Sequence, residues 1–90
     1  MDASSEKTII NFKKAKSHLE KIINMIEDGE YCINIMQQNL AVIGLLKSAN
    51  HTLMERHLGH CFKHAMATGS AKRQQQMIDE ILTVNKLSSK

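Results

Sequence analysis

No proline interrupts these 90 residues, no tryptophan is present, and aromatics make up only 3% of the chain. Without proline, nothing forces a helix to kink or stop. With so few rings, aliphatic side chains must do the packing. No run approaches the ~18–20 apolar residues of a membrane span. The opening MDASSEKT lacks the basic-then-apolar layout of a signal peptide. The two cysteines stand 29 positions apart, which is not a disulfide framework. A cytoplasmic, reduced protein with both thiols available as ligands or nucleophiles is the economical expectation.

What is present is a globular balance, 42% hydrophobic and 23% charged. The length corresponds to one small domain, residues 1–90, whose core is marginal if it stands alone. The formal charge is +3 and the isoelectric point about 9.0. That permits nucleic-acid binding without requiring it. No internal repeat and no low-complexity tract is apparent.

The apolar positions recur with helical spacing throughout. Ile9, Phe12, Leu19, Ile22, Ile23 and Ile26 predict an amphipathic helix over about 5–27, stopped at Asp28-Gly29. A longer set runs Cys32, Ile35, Met36, Leu40, Ile43, Leu46, Ala49, Leu53, His57, Cys61 and Ala65. It predicts one unbroken helix over about 31–67, ended by Thr68-Gly69 as a glycine cap. Gly44 and Gly59 each weaken it by about 1 kcal/mol relative to Ala without breaking it. A third helix is expected over about 70–86, with Met77, Ile78, Ile81 and Leu82 apolar and a frayed Ser-Ser-Lys tail. The expected class is all-α, three helices per protomer.

The second helix would be some 55 Å long at 1.5 Å per residue. A domain of this size has a radius of gyration near 12–13 Å. Such a helix overhangs its own chain, and its apolar stripe stays wet unless another copy covers it. Self-association follows from that length.

The segment RHLGHCFKH, residues 56–64, holds three histidines and one cysteine. His57 and Cys61 are four apart, so on a helix both can reach one atom. Imidazole plus thiolate suits Cu(I), Zn(II) or Ni(II). Two ligands seldom hold a metal tightly. Cys32 is the obvious third, but about 44 Å of straight helix separates it from Cys61 in one chain. In an antiparallel pair of such helices crossing near residues 45–46, Cys32 of one copy would face residues 57–61 of the other. Gly44 lies close to that crossing. A Cys on an apolar helix face is more often a small buried hydrophobe, and a Cys61 nucleophile lacks an orienting acid and an oxyanion hole. His60 and His64 point elsewhere, His51 sits among polar neighbours, and His18 reads as a solvated helix residue.

These residues together are similar to the copper-sensing operon repressor (CsoR) family. "MIEDGEYC", a long helix and "LMERHLGHCF" carry the resemblance, which covers about residues 8–87. It implies a bacterial, non-enzymatic DNA-binding repressor, an antiparallel helical-bundle dimer that pairs into a disc-like tetramer. It implies Cu(I) held by Cys32 of one subunit with His57 and Cys61 of its partner. It implies that Tyr31 and Glu80 link the metal-bound His to the last helix. Operator double-stranded DNA is the implied partner of the metal-free form, and Cu(I) the implied signal for release.

Relatives that sense nickel or cobalt, formaldehyde or sulfane sulfur differ in their ligands. Nickel and cobalt sensors tend to carry His where Cys61 stands, formaldehyde sensors usually lack the second Cys, and sulfur sensors lack the His. Copper is therefore the best fit. Nickel is the runner-up, with His18 as an added ligand. A copper buffer without DNA affinity is the alternative from another class. Two positions depart from the family: Asn11 and Ser48 stand where it often has Arg. The basic surface expected to meet DNA is Lys13, Lys14, Lys16 and Lys47, and Lys meets phosphate as a point charge rather than a bidentate fork.

Overall fold

The computed structural model describes residues 3–89. Among them the fold is all-helical: α1 (Ala3–Glu27), α2 (Cys32–Arg56), a π-helical segment (His57–Phe62), α3 (Lys63–Thr68) and α4 (Ala71–Ser88). The chain packs as two compact units, one through Glu55 and one from Arg56 onward. The expected frayed tail begins later than the sequence suggests, since Ser88 closes α4 and the Ser89 amide bonds to the Leu87 carbonyl. Lys90 lies outside the described residues.

In the first unit, α1 ends where its apolar period stops. The Glu30 amide donates to the Met25 carbonyl at 2.9 Å and the Gly29 amide to Ile26 at 3.1 Å. This pair of bonds is a Schellman closure, which needs a left-handed residue after the helix. Gly29 supplies it with φ of 71°. Two residues later Tyr31 starts the next helix, its carbonyl accepting from the amides of Asn34 and Ile35 at 3.0 and 3.3 Å.

The two helices of this unit run antiparallel. Asn11 pairs with Ser48 at 3.5 Å and His18 with Gln38, so rising numbers on α1 meet falling numbers on α2. Between them lie buried Ala15, Ile22 and Val42, with Ile35 and Leu45 packed alongside. Ala49 and Thr52 continue this buried face of α2.

Of the stripe expected on α2, Ile35 and Ala49 lie on this face and most of the rest does not. Met36, Leu40, Ile43, Leu46 and Leu53 are 39–65% exposed. Phe12, Leu19, Ile23 and Ile26 on α1 are likewise exposed. Each helix carries more apolar surface than its neighbour in the protomer covers. One helix has room against it for one arc of the other, and small residues (Ala15, Ala49) occupy the contact.

In the second unit the helical backbone continues to Thr68, but not as a uniform α-helix. Over His57–Phe62 it widens into a π-turn, closed by i→i+5 rather than i→i+4 bonds. Gly59 sits inside it, and its lower α-propensity, by about 1 kcal/mol relative to Ala, reduces the cost of leaving α geometry.

Gly69 then ends α3 without a left-handed turn. Its backbone is extended, at φ −81° and ψ 160°. The expected glycine-cap geometry is absent, yet the glycine is still required. A Cβ there would lie 2.6 Å from the Ala65 carbonyl oxygen. Ser70 caps α4 by accepting from the Arg73 amide at 3.2 Å. Gln74 reaches back to the Met66 and Gly69 carbonyls at 3.0 and 3.4 Å. Ala65 and Met77 are the buried residues of this unit.

Candidate metal centre

His57 and Cys61 both belong to the π-turn, as its first and fifth residues. A wider turn carries more residues per revolution than an α-turn, yet i and i+4 still fall on adjacent angles of one face. His57 is half-buried and Cys61 exposed. The thiol is free. A borderline nitrogen donor and a soft sulfur donor are thus presented on one helical wall. The π-turn is rare inside long helices and concentrates at functional sites. Here it coincides with the His57–Cys61 pair, a coincidence no residue spacing foretold.

Cys32 is the first residue of α2, also exposed and free. The local cause is the Gly29 turn, which stops α1 and lets α2 begin three residues later. Among the described residues, no three His, Cys, Asp or Glu side chains of one protomer form a group able to hold a metal ion. Tyr31 lies in the link before Cys32 and is 70% exposed. Glu80 lies exposed on α4.

The remaining histidines divide. His60 and His64 are exposed. His51 pairs with Glu55 at 2.7 Å, one turn on along α2. His18 differs from its expected role as a solvated residue. It is half-buried and its ring Nε2 is engaged by Gln38 Oε1. The sequence held a signal for this: residue 18 of α1 lies at the height of residue 38 once the helices are antiparallel.

The expected cationic surface is partly assembled. Lys13 and Lys14 line a concavity of about 640 Å³ in the first unit, together with Ile10, Ser17, His18, Lys21 and Leu45. Lys16 and Lys47 are exposed but do not line it. The two neutral positions, Asn11 and Ser48, face each other across α1 and α2, with Asn11 Nδ2 donating to Ser48 Oγ. No described helix is long and apolar enough to cross a membrane.

Comparison with known proteins places this arrangement. The copper-sensing transcriptional repressor CsoR of Mycobacterium ulcerans (strain Agy99) is 38% identical over 76 residues, 84% of this chain and 62% of that protein. The chain thus spans under two thirds of that relative's length. The CsoR of Bacillus subtilis (strain 168) is 33% identical over 90 residues, covering 98% of this chain and 86% of the relative. Among solved structures, the copper-sensing repressor CsoR with Cu(I) from Geobacillus thermodenitrificans NG80-2 matches with a TM-score of 0.86. It is 27% identical, and the match covers 100% of this chain and 91% of that one. The sequence profile for metal-sensitive transcriptional repressors matches residues 4–86. With nearly the whole chain inside that match, and an imidazole–thiol pair on one helical wall within it, this protein belongs to the metal-sensitive transcriptional repressor family.

Proposed function

We propose that this chain is a copper-responsive repressor: metal-free, it holds double-stranded operator DNA, and Cu(I) releases it. The observation that carries the reading is the His57–Cys61 pair, set one turn apart inside the family match. The donor set fits the ion. Two thiols and one imidazole are soft to borderline ligands, and three of them satisfy Cu(I), whereas Zn(II) takes four. Cys32 of one protomer, with His57 and Cys61 of a second copy, would hold it. Bound there, the ion would supply a link between chains and withdraw both thiols from solvent.

The chain's own residues do the rest. The exposed apolar row Met36, Leu40, Ile43, Leu46 and Leu53 on α2 recurs at helical spacing and suits an antiparallel second copy. A homodimer, and a homotetramer built from it, would bury that row and bring the ends of two α2 helices together. Tyr31 and Glu80 would then lie near the His57 ring and hold its free nitrogen, carrying the ligand state toward α4. Lys13, Lys14, Lys16 and Lys47 would neutralise DNA phosphates. The nickel reading loses its added ligand, because the His18 ring is already engaged by Gln38. The protein would act as a cytoplasmic, non-enzymatic regulator.

The test is a titration of reduced protein with Cu(I) while fluorescence anisotropy follows release of a labelled operator duplex. Release at one ion per protomer is expected. Cys32→Ala that leaves copper affinity unchanged would remove the intersubunit site. Tight copper binding without any duplex affinity would make the protein a buffer instead.

A further inference from the structure

The first unit is not a basic body. Through Glu55 the sequence has six Lys and no Arg, against seven Asp and Glu. Its cations are nevertheless concentrated: four of the six Lys fall within residues 13–21. On a helix, Lys13, Lys14, Ser17, His18 and Lys21 share one broad arc, while Lys16 lies off it. That arc, with Ile10 and Leu45 as its apolar floor, lines the concavity of about 640 Å³.

No carboxylate lines this concavity. The one ion pair among the described residues, His51 with Glu55, involves none of its lysines. Three ammonium groups therefore share one depression without a counter-charge from the described chain. Ile10 and Leu45 offer no competing acceptor. The His18 ring, tied to Gln38, holds α1 against α2 and fixes one wall. Ser17 adds a hydroxyl one turn from both Lys13 and Lys21.

We infer that this concavity is a seat for nucleic-acid backbone phosphate, with Lys21 and Ser17 completing a contact begun by Lys13 and Lys14. This rests on the DNA-binding reading above and adds to it a specific place and two further residues. Lysine contacts phosphate as a point charge and lacks the bidentate fork with which Arg reads guanine. The seat therefore contributes affinity that is independent of sequence. His18 is a positioning residue, not a phosphate ligand.

The experiment measures binding to two labelled duplexes of different mixed sequence, by anisotropy, from about 50 to about 200 mM salt. Lys21→Gln is compared with Lys86→Gln, which removes the same charge from α4. For Lys21→Gln the slope of log K against log salt is expected to fall by about 0.9 for each seat engaged, a loss of roughly eightfold per seat near 0.1 M salt. Both duplexes should lose affinity by the same factor, and Lys86→Gln should leave the slope unchanged. If Lys21→Gln behaves as Lys86→Gln while the unaltered protein still binds, the seat is overturned and the repressor reading stands. If the two duplexes respond unequally to Lys21→Gln, the contact reads bases and the phosphate seat is overturned. If the unaltered protein binds neither duplex at low salt, the repressor reading fails and the seat fails with it.

Discussion

The stretch through Glu55 and the stretch from Arg56 hold equal numbers of Lys and Arg, six each, yet differ in everything that uses them. The first sets its six lysines against seven acids and gathers four of them on α1. The second sets its six against Asp79 and Glu80 alone, and carries both arginines of the chain. The first has regular helices joined by a left-handed glycine. The second opens on a π-turn that presents His57 and Cys61. Net charge alone would point to the second unit as the nucleic-acid surface. The unpaired lysine concavity lies in the first. Local arrangement, not the total, decides where an anion is held, because fields at a protein surface are screened within about 8–10 Å at ordinary salt.

The sharpest way to break this division is at the proposed ligand pair, His57 and Cys61. Cys61→Ala should lower Cu(I) affinity by at least about 100-fold, the upper range seen when mere outer partners of a ligand are lost. Competition with a chromophoric Cu(I) chelator measures it, and a loss under tenfold would exclude Cys61 as a ligand. Next in size are the two cores. Met77 is 2% exposed, and Met77→Ala should cost about 2–5 kcal/mol in urea denaturation. Val42, also 2% exposed, should cost about 2 kcal/mol on replacement by Ala, since two heavy atoms are lost rather than three. Equal losses would mean the core around Met77 collapses further onto its cavity than the core around Val42 does.

A smaller effect belongs to the cap of α4. Ser70→Ala removes the acceptor for the Arg73 amide and should cost about 1 kcal/mol. Far-ultraviolet dichroism during thermal unfolding would report it. Smallest is the His51–Glu55 pair, whose side chains are 77% and 64% exposed. His51→Ala should change stability by less than about 0.5 kcal/mol, within reach only of careful chemical denaturation at two pH values. A larger loss would show that α2 depends on its exposed polar face more than on Ala49 and Thr52.

Much of this was legible from residue spacing. The first helix over 5–27 agrees with α1 at its end, because the apolar pattern stops at Ile26 and Gly29 takes the left-handed conformation that closes the helix. The third helix over 70–86 agrees with α4 to within two residues, because Ser70 follows a break and precedes a polar first turn. The second helix was legible as helix but not in its kind. A π-turn shifts hydrogen bonds by one residue while keeping apolar and polar residues nearly in phase, so periodicity does not register it. Gly69 was legible as a stop, for a different reason than the one that operates. Its place after Thr68 predicts a left-handed cap, whereas the structure uses the missing Cβ to let the Ala65 carbonyl approach.

For the candidate site, His57 and Cys61 were readable as neighbours because a helix places i and i+4 together whatever surrounds it. The lysine concavity was only half readable. Lys13 and Lys14 stood out as adjacent charges, and Lys21 did not, because its membership depends on where Leu45 of α2 closes the floor.

By itself, then, the sequence determined the helical class, the stop of the first helix at Asp28-Gly29 and the imidazole–thiol pair, because all three follow from local backbone geometry and short spacings. Only the tertiary structure decided which apolar residues are buried, that His18 meets Gln38, and that three lysines share one depression without a carboxylate. Those depend on the angle at which α1 rests against α2. Each helix has apolar residues over more of its circumference than one neighbour can cover. Its own pattern therefore admits several angles, and close packing around Ala15, Val42 and Ala49 selects one.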